Sequence, residues 1–197
     1  MPIRVTAVLD YLTEPELLAW YLKTGKAACK KISDAALRVG TLVDKMIQED
    51  IKGEGYLCPA EDTPVENCMA AWEKFKADHP GYMASITGFQ DEVTDGEIVG
   101  HPDIILADQI DDVKTSRAIQ PRYWTQTSKY AQMAGKSKVG IIRLDKETGN
   151  YEYKVMGKDV VDYENRVFDA YLMAYKHNTT IREIVRQQLE MEVLGVE

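Results

Sequence analysis

The stretch GHPDIILADQIDDVKTS, residues 100–116, decides the fold. Ile104, Ile105 and Leu106 form one apolar run, and Ile110 and Val113 bracket Asp111-Asp112 in a second short run. A short turn at Ala107-Asp108 separates them, so they read as two antiparallel strands. That pairing sets Asp103 opposite Asp112, and directly opposed Cβ atoms come within about 5 Å. Asp112 and Lys114 lie two residues apart, on one side of the strand. An ion pair is the plain reading of that acid and amine. A metal site is the other. Two carboxylates held close in an apolar setting repel and do not both ionise cheaply. A divalent cation between them resolves the conflict, and hard oxygen donors suit Mg²⁺ or Mn²⁺. Lys114 can then orient or help activate a water and offset phosphate charge.

The tripeptide alone is weak evidence. The same spacing occurs at Asp50-Ile51-Lys52 and Glu152-Tyr153-Lys154. The first lies at a helix end, where i and i+2 do not share a face. The second is a strand whose hairpin partner, Val139 to Leu144, carries no acid. The Asp112 copy alone has an aspartate on the strand before it.

Working outward, the chain reads as helices, a strand run, a helix, a hairpin and more helices. Ile3 to Leu12 reads as a short strand or extended lead-in. Thr13 is a good N-cap, with Pro15 in the first turn of a helix to about Lys23. Ser33 caps a longer helix whose apolar stripe is Ala36, Leu37, Leu42, Val43, Met46 and Ile47. Residues 53–64 are a loop, and Pro64 to Ala77 a third helix. Tyr82 to Val93, Glu97 to Leu106 and Gln109 to Thr115 read as strands. Pro121 opens a helix to Ala134, ended by Gly135. Val139 to Leu144 and Tyr151 to Val155 form a hairpin. Asp159 begins a helical end, with Thr179 or Thr180 restarting a final helix. This order implies an α/β core with helical surroundings, rather than an alternating doubly wound sheet. The expected organisation is one domain over 1–197: a mainly helical part (1–80), a catalytic sheet with its helix (81–157), and C-terminal helices (158–197).

Composition narrows the class. The chain has 197 residues, a net charge of −8 and 28% charged residues, ordinary for a soluble domain. No apolar run approaches the roughly 18–20 residues that span a bilayer. The segment MPIRVTAVLDYLTEPE carries Asp10 and Glu14 and lacks a signal-peptide layout, so a cytoplasmic protein is expected, with no membrane partner. Cys29, Cys58 and Cys68 contain no C-x₂-C pair, which argues against a disulfide framework or zinc ribbon. From Lys114 to Arg143 there is no Asp or Glu, but Lys114, Arg117, Arg122, Lys129, Lys136, Lys138 and Arg143 are present. An acid-free basic segment in an acidic chain suggests a local anion site, and phosphate backbones are the obvious anion. In the following helix, Gln126 and Tyr130 lie at i, i+4 on one face.

Gly100-x-x-Asp103, Asp112-x-Lys114 and Gln126-x-x-x-Tyr130 together resemble the motif series of the PD-(D/E)XK nucleases. The likeness is strongest to the RecB-like branch of phage exonucleases and CRISPR-associated adaptation nucleases. Upstream, VTAVLDYLTEPELLAWYLKTG resembles the lead-in of phage members, and AALRVGTLVDKMIQ resembles their G-T-x-x-H helix. The resemblance covers roughly residues 3–135. It implies a restriction-endonuclease-like core, a small mixed sheet flanked by helices, with helical N- and C-terminal additions. It implies metal ligation by Asp44, Asp103, Asp112 and the Val113 carbonyl, with Glu92 a weaker candidate for a second ion. Lys114 would be the catalytic lysine, with Asp103 and Asp112 beside it. Gln126 and Tyr130 would shape the site and contact DNA. One departure stands out: Asp44 occupies the position where that branch usually has His. Aspartate is a competent ligand for a hard metal, and the change can alter metal preference or weaken activity. The branch's iron–sulfur cysteines have no matching set here, so no cluster is expected.

The implied activity is Mg²⁺- or Mn²⁺-dependent hydrolysis of DNA phosphodiester bonds, by an exonuclease of phage or viral recombination, replication or repair. Ser116, Arg117, Arg122 and Lys129 would hold the DNA backbone, with little sequence specificity. A homo-oligomer or a recombination or replication partner protein is compatible with the C-terminal helices. The rival readings are a catalytically weak relative that binds DNA or a protein, motivated by Asp44, and a nucleotide or RNA hydrolase using the same site.

Overall fold

The structure, a computed structural model, describes residues 2–11, 15–59 and 61–194. A five-stranded mixed sheet forms its centre. It contains β2 (Ile86–Gly88), β5 (Ile104–Leu106), β6 (Gln109–Lys114), β7 (Lys138–Leu144) and β8 (Tyr151–Met156), in the spatial order β2-β5-β6-β7-β8. β6 and β7 run parallel; the other neighbours are antiparallel. A smaller mixed sheet joins β1 (Ile3–Arg4), β4 (Ile98–Gly100) and β3 (Val93–Thr94) in the order β1-β4-β3.

Helices cover both faces of the larger sheet. On one face, α3 (Lys26–Lys52) and α4 (Thr63–Asp78) bury Val43, Met46, Trp72 and Phe75 against Ile104, Ile142 and Leu144. On the other, α1 (Val5–Tyr11), α6 (Pro121–Met133) and α7 (Lys158–Leu194) enclose Val8, Tyr130 and Phe168 with Ile110 and Val139. Strand alternation explains the sorting: on β6, Asp111 and Val113 face α3 and α4, while Ile110, Asp112 and Lys114 face α6. β6 and β7 are therefore covered on both sides, as parallel strands require.

Local chemistry sets the helix ends. Pro121 starts α6 at a position where a missing N–H costs nothing. Gly53, at φ 75°, ends α3, with its N–H bonded to Asp50 O and that of Glu54 to Glu49 O.

Several expected boundaries shift. Val5–Tyr11 is helical, and only Ile3–Arg4 pairs as a strand. Ser33 lies inside α3, which begins after Gly25. The Thr13 cap lies outside the described residues; α2 covers Pro15–Thr24. Tyr82–Val93 is not one strand: α5 (Tyr82–Ser85), β2, a loop and β3 replace it. The short helix α5 turns Tyr82 inward to a buried partner, Asp111. Glu97–Leu106 divides at His101-Pro102-Asp103, because Pro102 has no N–H to continue a ladder. The chain leaves the small sheet there and enters the large one at Ile104. Finally, α7 runs unbroken through Thr179. Its hydroxyl bonds back to Tyr175 O at 2.9 Å instead of capping a new helix.

Candidate active site

Asp103 stands where the chain enters β5. The register Ile104 to Asp111 and Ile105 to Ile110 carries Asp103 to Asp112, as the turn at Ala107-Asp108 requires. Asp103 Oδ2 accepts the backbone N–H of Val113 at 2.8 Å. Its Oδ1 accepts from Gln90 Nε2 at 2.9 Å. Asp112 is 1% exposed. Its Oδ2 lies 2.6 Å from Lys114 Nζ, yet makes no hydrogen bond of good geometry. Burial and the Asp103 charge push the Asp112 carboxyl above the usual aspartate range, with Lys114 opposing. Burial also disfavours the Lys114 charge, but Asp112 and Asp103 outweigh it and hold the amine above an ordinary lysine. The ammonium lies 5.2 Å from the Tyr123 ring centroid, a cation–π distance. Lys114 is thus kept charged and fixed.

Asp44 joins from α3. Its Oδ2 accepts from Gln48 at 2.9 Å, one turn along the helix, and its Oδ1 lies 3.4 Å from Gln90 Nε2. Burial and then Asp103 raise its carboxyl, against Gln48 and Lys114. Gly40, Thr41, Asp44, Asp103, Val113 and Lys114 line a cleft of about 370 Å³ beside α3. Asp44, Asp103, Asp112 and Lys114 therefore come together at one end of β6.

Among the described residues, no group of three or more His, Cys, Asp or Glu side chains is placed to hold a metal ion. The donor chemistry nevertheless fits a hard divalent cation. Asp112 is a buried carboxylate whose Oδ2 faces the Lys114 ammonium, and Asp103 and Asp44 add further anionic oxygens. Mg²⁺ is commonly held by one or two carboxylates plus waters and substrate phosphate, not by an all-protein cage.

The other expected residues divide. Gln126 Nε2 donates to Tyr130 Oη at 3.0 Å. Tyr130 is 3% exposed, and burial, with the nearby Asp112 and Asp103 charges, pushes its hydroxyl up to about 12. Its ring fills the space in front of Gly100, where an added Cβ would lie 2.1 Å from Tyr130 Cε1. The glycine of the G-x-x-D motif and the tyrosine of the helix motif are thus one packing contact. Ser116 Oγ donates to Ala118 O. Arg117 is exposed, 3.5 Å from Glu147, and Arg122 reaches Asp10 at 2.6 Å.

Two of the expected residues stand in other surroundings. Lys129 is buried, paired with Asp95 at 2.9 Å and placed over the Phe168 ring, so it is not available as a surface phosphate contact. Glu92 is exposed in the loop between β2 and β3 and does not line the cleft; Gln90 is the side chain that reaches the carboxylates from that loop. The basic segment also changes meaning in space. Acids outside the segment supply its counter-ions: Asp10 for Arg122, Asp95 for Lys129, Asp108 for Lys138, and Asp145 with Glu152 for Arg143.

Three polar residues escaped sequence reasoning. Gln90 and Tyr123 carry no motif signal. Asp111 was adjacent to the residue singled out, and strand parity turns it to the opposite face. There it is fully buried, accepting from Tyr82 Oη (2.5 Å), Gln109 Nε2 (2.5 Å) and Tyr153 Oη (3.0 Å).

No protein-family model matches the sequence, and neither does any curated protein. Solved structures do match. A candidate exonuclease from Eubacterium rectale superposes with a TM-score of 0.57 at 14% identity, covering 88% of this chain and 79% of its own. The alkaline exonuclease LHK-Exo from Laribacter hongkongensis gives 0.49 at 13% identity, covering 95% and 94%. A phage-related exonuclease from Haemophilus somnus 129PT gives 0.44 at 12%, covering 92% and 96%. The Eubacterium rectale likeness carries the fold: a mixed α/β architecture, sheets flanked by helices, of the kind expected from the motif series.

Proposed function

We propose that this protein is a metal-dependent DNA nuclease, of exonuclease type, acting in phage or viral DNA recombination, replication or repair. The observation that carries the reading is the joining of Asp103, Asp112 and Lys114 at one strand end, with the buried Asp112 carboxylate paired to the Lys114 ammonium at 2.6 Å. The exonuclease name of the Eubacterium rectale structure that shares the fold supports the choice of chemistry. Asp103, Asp112, Asp44 and the Val113 carbonyl would hold Mg²⁺ or Mn²⁺. When bound, the ion would supply Lewis-acid stabilisation of the charge that develops on the phosphate.

The chain's own residues supply the rest. Lys114, charged and restrained by Asp112 and Tyr123, orients a water toward phosphorus and offsets charge on a phosphoryl oxygen. The Val113 N–H fixes the Asp103 rotamer. Arg117 and Arg122 exchange exposed carboxylate partners, pairs worth little in water, for phosphates. A second reading, DNA binding without cleavage, is favoured by the His-to-Asp exchange at position 44.

The test is cleavage of end-labelled linear and of circular DNA, single- and double-stranded, with Mg²⁺, Mn²⁺ or EDTA. Loss of linear DNA with circles spared, dependent on metal and abolished by Lys114→Ala with DNA binding retained, is the expected result. Cleavage by Lys114→Ala at the wild-type rate removes the proposed mechanism. Binding by wild type without cleavage in either metal selects the second reading.

A further inference from the structure

Gln90 touches two of the carboxylates at once. Its Nε2 lies 2.9 Å from Asp103 Oδ1 and 3.4 Å from Asp44 Oδ1. Ionised carboxylates only accept hydrogen bonds, so the amide must present its nitrogen to them, and one NH₂ group has a proton for each. Asp44 and Asp103 sit on different elements and repel; the amide bridges them where a cation would.

The backbone around Gln90 is arranged for this. Gln90 has φ 52°, one of two described non-glycine residues with positive φ. Such conformations persist where their surroundings enforce them, and they concentrate at functional sites. Here the Gln90 N–H bonds to Pro102 O at 2.9 Å, and His101 Nδ1 lies 3.3 Å from Gln90 O. Residues 101 and 102, immediately before Asp103, thus clamp the loop that carries Gln90. The next residue but one, Glu92, is exposed.

We propose that Gln90 is a built-in stand-in for the divalent cation: its amide bridges Asp44 and Asp103 in the metal-free protein and withdraws when the ion binds. The inference rests on the nuclease reading's metal site and adds an exchange step to it. The amide nitrogen and the ion compete for the same oxygens. Gln90 therefore keeps the site in shape without metal and weakens metal affinity in doing so.

The experiment measures Mn²⁺ binding by calorimetry and thermal midpoints in EDTA, without DNA, for wild type, Gln90→Ala, Gln90→Met and Asp103→Ala. Hydrogen bonds to charged groups are strong enough that removing the competing amide should tighten Mn²⁺ binding by about ten-fold. The midpoint in EDTA should fall in both variants, because the carboxylates lose their bridge. A purely structural glutamine would lower the midpoint without tightening Mn²⁺ binding. Met retains the side-chain bulk, so at least one folded variant is available. Unchanged or weaker Mn²⁺ binding in both variants, with Asp103→Ala abolishing it, overturns the stand-in role alone. Wild-type Mn²⁺ binding that is absent or indifferent to Asp103→Ala overturns the metal site as well.

Discussion

Replacing Gly100 with alanine tests whether the first motif glycine serves packing. An alanine Cβ would lie 2.1 Å from Tyr130 Cε1 and 2.8 Å from Cδ1, whereas carbon atoms pack at about 3.5–4.0 Å. The ring must retreat by roughly 1.5 Å to reach that contact distance. It has no room, being 3% exposed in a cluster with Ile98, Ile110 and Ala131. Overpacking of this kind costs about 1–3 kcal/mol. For a chain of this size that is a midpoint loss of about 2–12 °C. Urea and thermal unfolding of Gly100→Ala, Tyr130→Leu and the double variant make the cycle. Tyr130→Leu removes the ring, so the double variant should be less destabilised than the sum of the singles. An unchanged Gly100→Ala midpoint, or strict additivity in the double variant, refutes the reasoning. The glycine would then serve close approach of substrate.

Further predictions follow from the charges. Lys129→Met should lower the midpoint by leaving Asp95 unpaired, with the salt dependence of DNA binding unchanged. Arg117→Ala and Arg122→Ala should each reduce the log–log salt slope by about one with stability intact; the reverse pattern would return Lys129 to the DNA surface. Burial raises the Asp111 carboxyl above its ordinary 3.8, against hydrogen bonds from Tyr82, Gln109 and Tyr153. The folded state therefore binds that proton more tightly than the unfolded state. Its contribution is complete below the ordinary aspartate value and is lost as pH rises through the raised one. Wild type should gain stability relative to Asp111→Asn as pH falls from about 7 toward 4. A gap in urea midpoint that is constant or shrinks on acidification sinks this account.

The site was legible where it depended on strand parity. Asp103, Asp112 and Lys114 follow from two short strands, one turn and a side-chain period of two, all local quantities. The flanking helices α4 and α6 were legible from Pro64, Pro121 and their apolar spacing. What failed depended on partners far along the chain. Lys129 looks like a surface cation until Asp95 is brought 34 residues back to it. Tyr82 looks like a strand residue until Asp111 claims its hydroxyl. Gln90 has no pattern at all, because its role exists only once α3 and β5 stand side by side. Helix starts failed for a simpler reason: Ser33 and Thr179 are good caps by chemistry, but each sits in a helix long enough to absorb it.

The two adjacent aspartates of β6 have a consequence for how the chain finds its native pairing. A one-residue slip of that strand would turn every side chain to the opposite face, so only one of the two positions would still hold an acid, the other receiving Ile110 or Val113. Charge detects half of the mistake, because one carboxylate is replaced by an aliphatic side chain and Lys114 changes face. Shape adds a second check: an added Cβ at Gly140 would lie 2.2 Å from Asp111 Oδ1, and three donors close around that carboxylate. The inert face of the strand thereby acts as a proofreader for the reactive one. A Gly140→Ala variant that still folds should lose activity by misreading the frame of its own strand, with every residue of the reactive cluster present.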